Sequence, residues 1–104
     1  MFAYTVTAQF EDEAVAKEYV AWLVDLKHLQ HVIDGGARDA ELIRVSPVHL
    51  EVRYHFTDEA AFRAYEAGPA IALREDGLKR FPATRGVKMS RATGTTVAKL
   101  KGGA

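Results

Sequence analysis

The sequence predicts a single α+β domain with its strands and helical regions in the order βαββαβ. Two patterns support this class. Apolar and polar residues alternate strictly at positions 2–10 and 49–56, as in strands that bury one face. Elsewhere apolar residues recur every three or four positions, which is the period of an amphipathic helix. A chain of 104 residues is long enough for one hydrophobic core and one domain.

The first strand and the first helix occupy the N-terminal third. The strand covers residues 2–10. A helix is predicted over residues 12–33, where Glu11, Asp12 and Glu13 at its start favour the positive end of the helix dipole. One glycine of the pair Gly35–Gly36 should take the left-handed conformation that ends it. Its apolar face is formed by Val15, Tyr19, Trp22, Leu26, Leu29 and Ile33.

The remaining elements follow from similar signals. Residues 37–46 predict a second, weaker strand, and residues 47–56 a clear third one. Thr57 is the expected N-cap of the next helix, which Pro69 divides so that a new helical segment runs to about Arg80. Residues 86–97 hold the last strand. Residues 1–97 therefore form the domain, and 98–104 are expected to be a flexible tail.

This order of elements is that of a ferredoxin-like sandwich, with the first and third strands at the centre of an antiparallel sheet. One sheet face packs under the helices. The other can be hydrated, or can meet the same face of a second copy so that two sheets close into a dimeric α+β barrel. That second face carries Thr5, Thr7, Gln9, His49, Glu51, Arg53 and His55.

The composition argues against several classes of protein. No apolar run approaches the roughly 20 residues that cross a bilayer, and no basic region precedes the apolar residues of the N-terminus as in a signal peptide. The chain has no cysteine, which excludes disulfides, thiolate metal sites and a cysteine nucleophile. We therefore expect a cytoplasmic protein with no membrane partner. Zero net charge and tyrosines on the core side of the sheet argue against nucleic acid as a partner.

The charges are unevenly distributed. Residues 1–73 hold 6 Lys/Arg and 12 Asp/Glu, and residues 74–104 hold 8 and 2. The two parts can neutralise each other on the folded surface, or the basic residues can gather into a patch that attracts an anion. In the second interpretation Arg91 takes part in ligand binding. The candidate patch comprises Arg74, Lys79, Arg80, Arg85, Lys88 and Arg91.

Three segments carry a resemblance to a known family. They are HLQHVIDGG at 28–36, LREDGLKRFP at 73–82 and SRATG at 90–94. Together they resemble the small bacterial DUF4286 family, whose function is unknown. That family belongs to the dimeric α+β barrels, a group that includes antibiotic-biosynthesis-type monooxygenases and muconolactone-isomerase-like proteins. The resemblance implies the fold and a homodimer but no activity, and His28 matches the position of the family's histidine.

The histidines at 28 and 31 allow several chemistries. The two histidines lie three positions apart on a helix and could share a metal, but no second cluster of ligands is visible in the sequence. Both also lie outside the apolar face of the helix. A solvated pair is therefore the simplest interpretation. His31 is expected to be exposed. His28 could be a catalytic acid or base at a pocket rim, oriented by Asp25. Neither Ser46 nor Ser90 has the setting of a nucleophile.

The tyrosines and the single tryptophan suggest a ligand site. They lie on apolar faces between helices and sheet, where they either bond to backbone carbonyls or line a pocket. We expect a small aromatic or anionic organic ligand, with no cofactor and no metal. A cofactor-free monooxygenase or isomerase and a non-catalytic structural dimer are the alternatives. The predicted ligand-binding residues are Tyr4, Trp22, Tyr54, Tyr65 and Arg91, with Tyr19 in the same layer.

The segment LREDGLKRFP also yields a packing prediction. Leu78 and Phe81 are expected to be buried, and Arg74 and Arg80 to lie at the surface. If so, this distinctive run is a packing element. If truncation of Phe81 to Ala costs almost no stability, the run is a binding loop instead.

Overall fold

A computed structural model describes residues 1–103 of the chain, and Ala104 lies outside the described residues. Four strands form one antiparallel sheet in the order β2-β3-β1-β4, with the helices on one face. This is the predicted ferredoxin-like arrangement. The elements are β1 (Phe2–Phe10), α1 (Glu13–Val24), α2 (His28–Asp34), β2 (Asp39–Ser46), β3 (His49–Phe56), α3 (Glu59–Ala67), α4 (Pro69–Arg80), a 3-10 turn (Ala83–Arg85) and β4 (Val87–Thr95).

The register of the two central strands gives the sheet its two faces. Tyr4 pairs with Tyr54 and Val6 with Val52, so the apolar positions of both strands point to the same side. These residues are buried under the helices. The opposite face carries the intervening polar residues, Thr5 opposite Arg53 among them. Both the central position of β1 and β3 and the assignment of their faces are confirmed.

The predicted single helix over residues 12–33 is wrong, because the structure has two helices there. Lys27 takes the left-handed conformation, with φ of 64°, and separates α1 from α2. This break changes which side of the second segment faces the core. Val32 is its fully buried residue, and Leu29 and Ile33 are partly buried against the core. Leu26, assigned to the core by periodicity, is 55% exposed.

The ends of the other helices follow local rules. The side chain of Asp58, not that of Thr57, caps α3 by accepting a hydrogen bond from the Ala61 N–H at 2.8 Å. Pro69 starts α4 at its first position, as predicted. Gly36, with φ of 130°, follows α2 in a conformation that side chains rarely adopt, so it is the glycine of its pair that ends this helix.

The segment after α4 corrects one packing prediction. Phe81 is buried against Tyr19 and Trp22, with ring centroids at 5.2 and 5.5 Å, as predicted. Leu78, expected in the core, is 63% exposed, because the inward side of α4 at this level is occupied by Gly77, against which Trp22 packs. Arg80 is exposed and Arg74 is half-buried.

The second half of β4 is not covered by helices. Its inward positions Arg91, Thr93 and Thr95 lie opposite buried residues of β1, yet all three are exposed. The sheet thus extends beyond the helical layer at this edge. No regular structure follows β4 through residue 103, so the prediction for the tail stays untested. Among residues 1–103, no helix is long and apolar enough to cross a membrane.

Three of the six residues in the candidate basic patch have acidic ion-pair partners. Arg74 pairs with Glu66, and Arg85 with Glu18. Arg80 pairs with Asp76 on its own helix. The six basic residues therefore do not form one continuous patch, and half of them are neutralised locally.

Candidate functional site

A cavity lies between the helical layer and the sheet, next to the uncovered half of β4. Its empty space is about 550 Å³ when its open mouth is included. The cavity volume within this space is about 50 Å³, several times the roughly 10–15 Å³ that one water needs. The lining comprises Tyr4, Val6, Tyr19, Trp22, His28, Tyr54, Tyr65, Leu73, Arg74, Gly77, Leu78, Met89 and Arg91.

Four tyrosines from four different elements form the inner wall. Tyr4 of β1 and Tyr54 of β3 stack at 5.7 Å, and α1 and α3 contribute Tyr19 and Tyr65. Burial raises the pKa of Tyr19 and Tyr54 above its usual value, and raises that of Tyr65 to about 12. The phenols of Tyr19, Tyr54 and Tyr65 therefore remain protonated near neutral pH and can donate hydrogen bonds.

The phenol groups lie close together. Tyr19, Tyr65 and Tyr4 each raise the pKa of Tyr54 further, which places all three near it. Within residues 1–103, Tyr4 alone of the four has a hydrogen-bond partner, the guanidinium of Arg74 at 3.5 Å. The hydroxyls of Tyr19, Tyr54 and Tyr65 have no such partner in this part of the chain, and none of the three is cut off from solvent. They face the cavity as free hydrogen-bonding groups.

His28, the first residue of α2, lies against Trp22 in the cavity wall. The two rings stack with centroids 3.9 Å apart and an angle of 24° between their planes. Burial, and then the nearby His31, lower the pKa of His28 to about 4, while Asp76 acts in the opposite sense. His28 is therefore neutral at pH 7. The expectation of a solvated histidine pair is wrong for His28, because the break before α2 turns it inward.

The predicted partner of His28 is also different in the structure. Asp25 is exposed and makes no hydrogen bond to His28 within residues 1–103. Asp76 of α4 is the carboxylate whose charge acts on His28. It accepts a hydrogen bond from the Trp22 indole at 3.0 Å and one from Arg80 at 3.0 Å. The Arg80 bond, and then the Trp22 bond, hold the pKa of Asp76 below its usual value despite its partial burial.

Gly77 explains how Trp22 fits beneath α4. A Cβ at this position would lie 3.2 Å from the indole Cη2, closer than most side-chain contacts. The glycine lets α4 approach the ring, and its neighbour Asp76 fixes the indole N–H. Trp22 is thereby held from two sides.

The two arginines of the cavity differ in their partners. Arg74 is half-buried and bonds to Tyr4 and Glu66, both at 3.5 Å, and Glu66 also pairs with Arg63. Arg91 is exposed at the mouth and has no ion-pair partner among residues 1–103. It lines the same cavity as Tyr19 and Tyr65, and its charge lowers the pKa of both, after the larger effect of burial.

The structure brings the six predicted site residues together: His28, Tyr4, Trp22, Tyr54, Tyr65 and Arg91 all line the cavity. The sequence reading missed Gly77 and Asp76, although a glycine inside a helical pattern is a signal of close packing. His31 is exposed, as predicted. Within residues 1–103, no three His, Asp or Glu side chains are grouped so that they could hold a metal ion.

Comparisons with known proteins agree with the fold. A dimeric ferredoxin-like protein from an uncultured marine organism has a TM-score of 0.73 at 14% identity, covering 97% of this chain and 99% of the other. A cofactor-independent oxygenase, SnoaB of Streptomyces nogalater, has a TM-score of 0.68 at 16% identity, covering 95% of this chain and 96% of the other. A monooxygenase of Streptomyces coelicolor in complex with nanaomycin D has a TM-score of 0.65 at 17% identity, covering 96% of this chain and 92% of the other. At these identities the likeness shows the fold alone.

No family model matches the chain, and no curated protein matches it either. The likeness to the DUF4286 family therefore stays a hypothesis. The shared fold places the chain among ferredoxin-like structures of which some are described as dimeric and others as oxygenases.

Proposed function

We propose that this protein binds a small aromatic organic ligand in the cavity between the helices and the sheet. The observation that carries the proposal is the wall itself: four buried tyrosines and a tryptophan surround the space, and three free phenols face it. Apolar walls with a few convergent polar groups are typical of small-molecule sites. Aromatic walls suit a planar ligand, because ring pairs at 4.5–7 Å add roughly 0.5–1.5 kcal/mol to burial.

The state of His28 favours binding as the primary role. A pKa of about 4 keeps the imidazole neutral, so it can exchange a hydrogen bond with the ligand while it stacks on Trp22. The same low pKa makes it a weak base, since a general base works best with a pKa near the working pH. The cavity is accordingly better prepared to hold a ligand than to remove a proton from one.

A cofactor-free oxygenase is the second candidate. The favouring observation is that His28 reaches the cavity wall as a neutral imidazole, the form able to accept a proton from an acidic hydroxyl of the ligand. The similar folds described as a cofactor-independent oxygenase and a monooxygenase support this candidate by analogy. Dioxygen would then be the second substrate, and the tyrosines would orient the first.

We also propose that the protein is a homodimer that packs through the polar face of its sheet. Several residues on this face of the two strands β1 and β4 are small: Ala3 lies beside Gly94 and Thr5 beside Ala92. Such a surface allows close approach of a second copy about a two-fold axis. The similar fold described as dimeric supports this assembly. In this arrangement the ligand cavity stays on the opposite side of the sheet.

A thermal-shift screen of aromatic fragments tests the ligand site. A compound that binds only the folded protein raises the melting temperature. At a concentration of 100 times its Kd, it adds about 2.7 kcal/mol to the free energy of unfolding. Met89→Trp should abolish the shift by filling the cavity from β4, where Met89 points inward. Ile71→Trp is the matched control, because Ile71 is exposed on α4 outside the cavity.

The screen separates the candidates. A shift lost in Met89→Trp and kept in Ile71→Trp supports a ligand in the cavity. If no aromatic fragment stabilises the protein, the ligand proposal fails and the non-catalytic structural dimer remains. For the oxygenase, consumption of dioxygen with a phenolic fragment that binds must fall in His28→Phe while binding persists. Unchanged consumption would exclude His28 as the base.

A further inference from the structure

We infer that the ligand is an aromatic carboxylate with one negative charge, whose carboxylate pairs with Arg91 while its ring lies among the tyrosines and Trp22. This inference rests on the proposed ligand site and adds the charge of the ligand and the residue that recognises it. It follows from the charges of the lining, the partners of each charged group and the position of Arg91 on the sheet.

The lining carries positive charge and no carboxylate. Two of its side chains are arginines, and its only histidine is neutral at pH 7. Asp76 and Glu66, which bond to the lining residues Trp22 and Arg74, are not themselves part of the lining. Asp76 is also paired with Arg80. An anion in the cavity would thus meet no like charge on its lining, whereas a cationic ligand would face two arginines.

Of the two arginines, Arg91 is the one available to a ligand. Arg74 is already neutralised by Glu66 and bonded to Tyr4, and its Nε is buried out of reach. Arg91 has no acidic partner within residues 1–103. One uncompensated cation matches a ligand with one negative charge. A guanidinium also binds a carboxylate through two parallel hydrogen bonds, which adds geometric selectivity.

The position of Arg91 places the carboxylate at the mouth and the ring inside. Arg91 lies opposite Val6 on the inward side of β4, beyond the edge of the helical layer. Tyr19 and Tyr65 line the same cavity as Arg91, so a ligand whose carboxylate pairs with Arg91 shares this space with phenol donors from α1 and α3. The exposed side chain of Leu78 adds apolar surface at the same mouth. The site is therefore polar at its rim and aromatic in its depth.

The test compares 2-naphthoate with the uncharged 2-naphthamide by isothermal titration calorimetry at low salt. The wild-type protein should bind the acid at least about tenfold more tightly than the amide, as expected for one charge-assisted hydrogen-bonded pair. Arg91→Gln should remove this preference and leave binding of the amide unchanged. Arg91→Lys should restore part of it, and added salt should weaken only the acid.

Lys79→Gln is the matched control, because it removes one positive charge from an exposed position of α4 outside the lining. It should bind both compounds as the wild type does. Equal affinity of the wild type for acid and amide would refute the charge of the ligand and leave the aromatic site standing. Unchanged binding of the acid to Arg91→Gln would refute the assignment of Arg91. Binding of neither compound, with no hit in the fragment screen, would refute the ligand site itself.

Discussion

The half-buried imidazole of His28 should make the stability of the protein depend on pH in a defined window. The pKa of His28 is lowered from 6.5 to about 4 in the folded state, chiefly by burial. The unfolded chain therefore binds a proton at this residue between these two values, and the folded protein does not. Stability from the neutral form is complete above about pH 6.5 and is lost as the pH falls toward 4.

The size of the effect follows from the same two values. One pKa unit corresponds to about 1.4 kcal/mol, so the lowering from 6.5 to about 4 sets an upper limit of about 3 kcal/mol. His28 is partly exposed, and solvent screening reduces the expected loss to about 1–2 kcal/mol. His28→Phe keeps an aromatic ring against Trp22 but cannot be protonated. As the pH falls from 6.5 to about 4, the free energy of unfolding of His28→Phe should therefore decrease less than that of the wild type.

Urea unfolding at pH 7, 6, 5 and 4, at one protein concentration, measures both curves. Carboxylates that titrate in this range affect both proteins alike, so the difference between the curves isolates His28. His31→Gln, which changes the exposed neighbour, should keep most of the wild-type dependence. The His28 pKa can also be read directly from its imidazole resonances by NMR. Parallel curves for wild type and His28→Phe, or a measured pKa near 6.5, would refute the reasoning.

Three further predictions concern packing and assembly. Phe81→Ala should lower the free energy of unfolding by about 3–5 kcal/mol in urea melts. Leu78→Ala, at an exposed site, should change it by less than about 0.5 kcal/mol. Equal effects of the two substitutions would contradict the structure. His31→Ala should likewise cost less than about 0.5 kcal/mol in the same melts, and a larger loss would show a hidden contact. Sedimentation at micromolar concentration should give a mass near two chains, and Thr7→Arg on the polar sheet face should give one; a monomeric wild type would exclude the barrel.

The strands could be predicted from the sequence because each carries its own pattern. Strict alternation in β1 and β3 fixes which face is buried without knowledge of any other element. The division of the second helical region at Pro69 is equally local, since proline has no N–H to donate. Together these signals determine the ferredoxin-like order of the elements.

The break between the first two helices could not be predicted, and the main errors follow from it. No glycine or proline marks residues 25–27, and Lys27 adopts a positive φ that its side chain does not signal. A helical wheel continued through this point turns His28 to solvent and Leu26 to the core, the reverse of what the structure shows. The prediction that Leu78 is buried is wrong for a different reason. Leu78 lies at an apolar position of the helical wheel, but Trp22 packs against the neighbouring Gly77 on the inward side of α4.

The uncovered half of β4 bears on how fast a ligand exchanges. Arg91 and Thr93 lie on the core side of the sheet, yet no helix covers them, so the cavity opens to solvent along the strand in the folded protein. A ligand can reach the aromatic wall without the separation of α4 from the sheet. Association should then proceed at a rate proportional to ligand concentration, with no plateau set by an opening step. Affinity in such a site is adjusted mainly through the rate of dissociation.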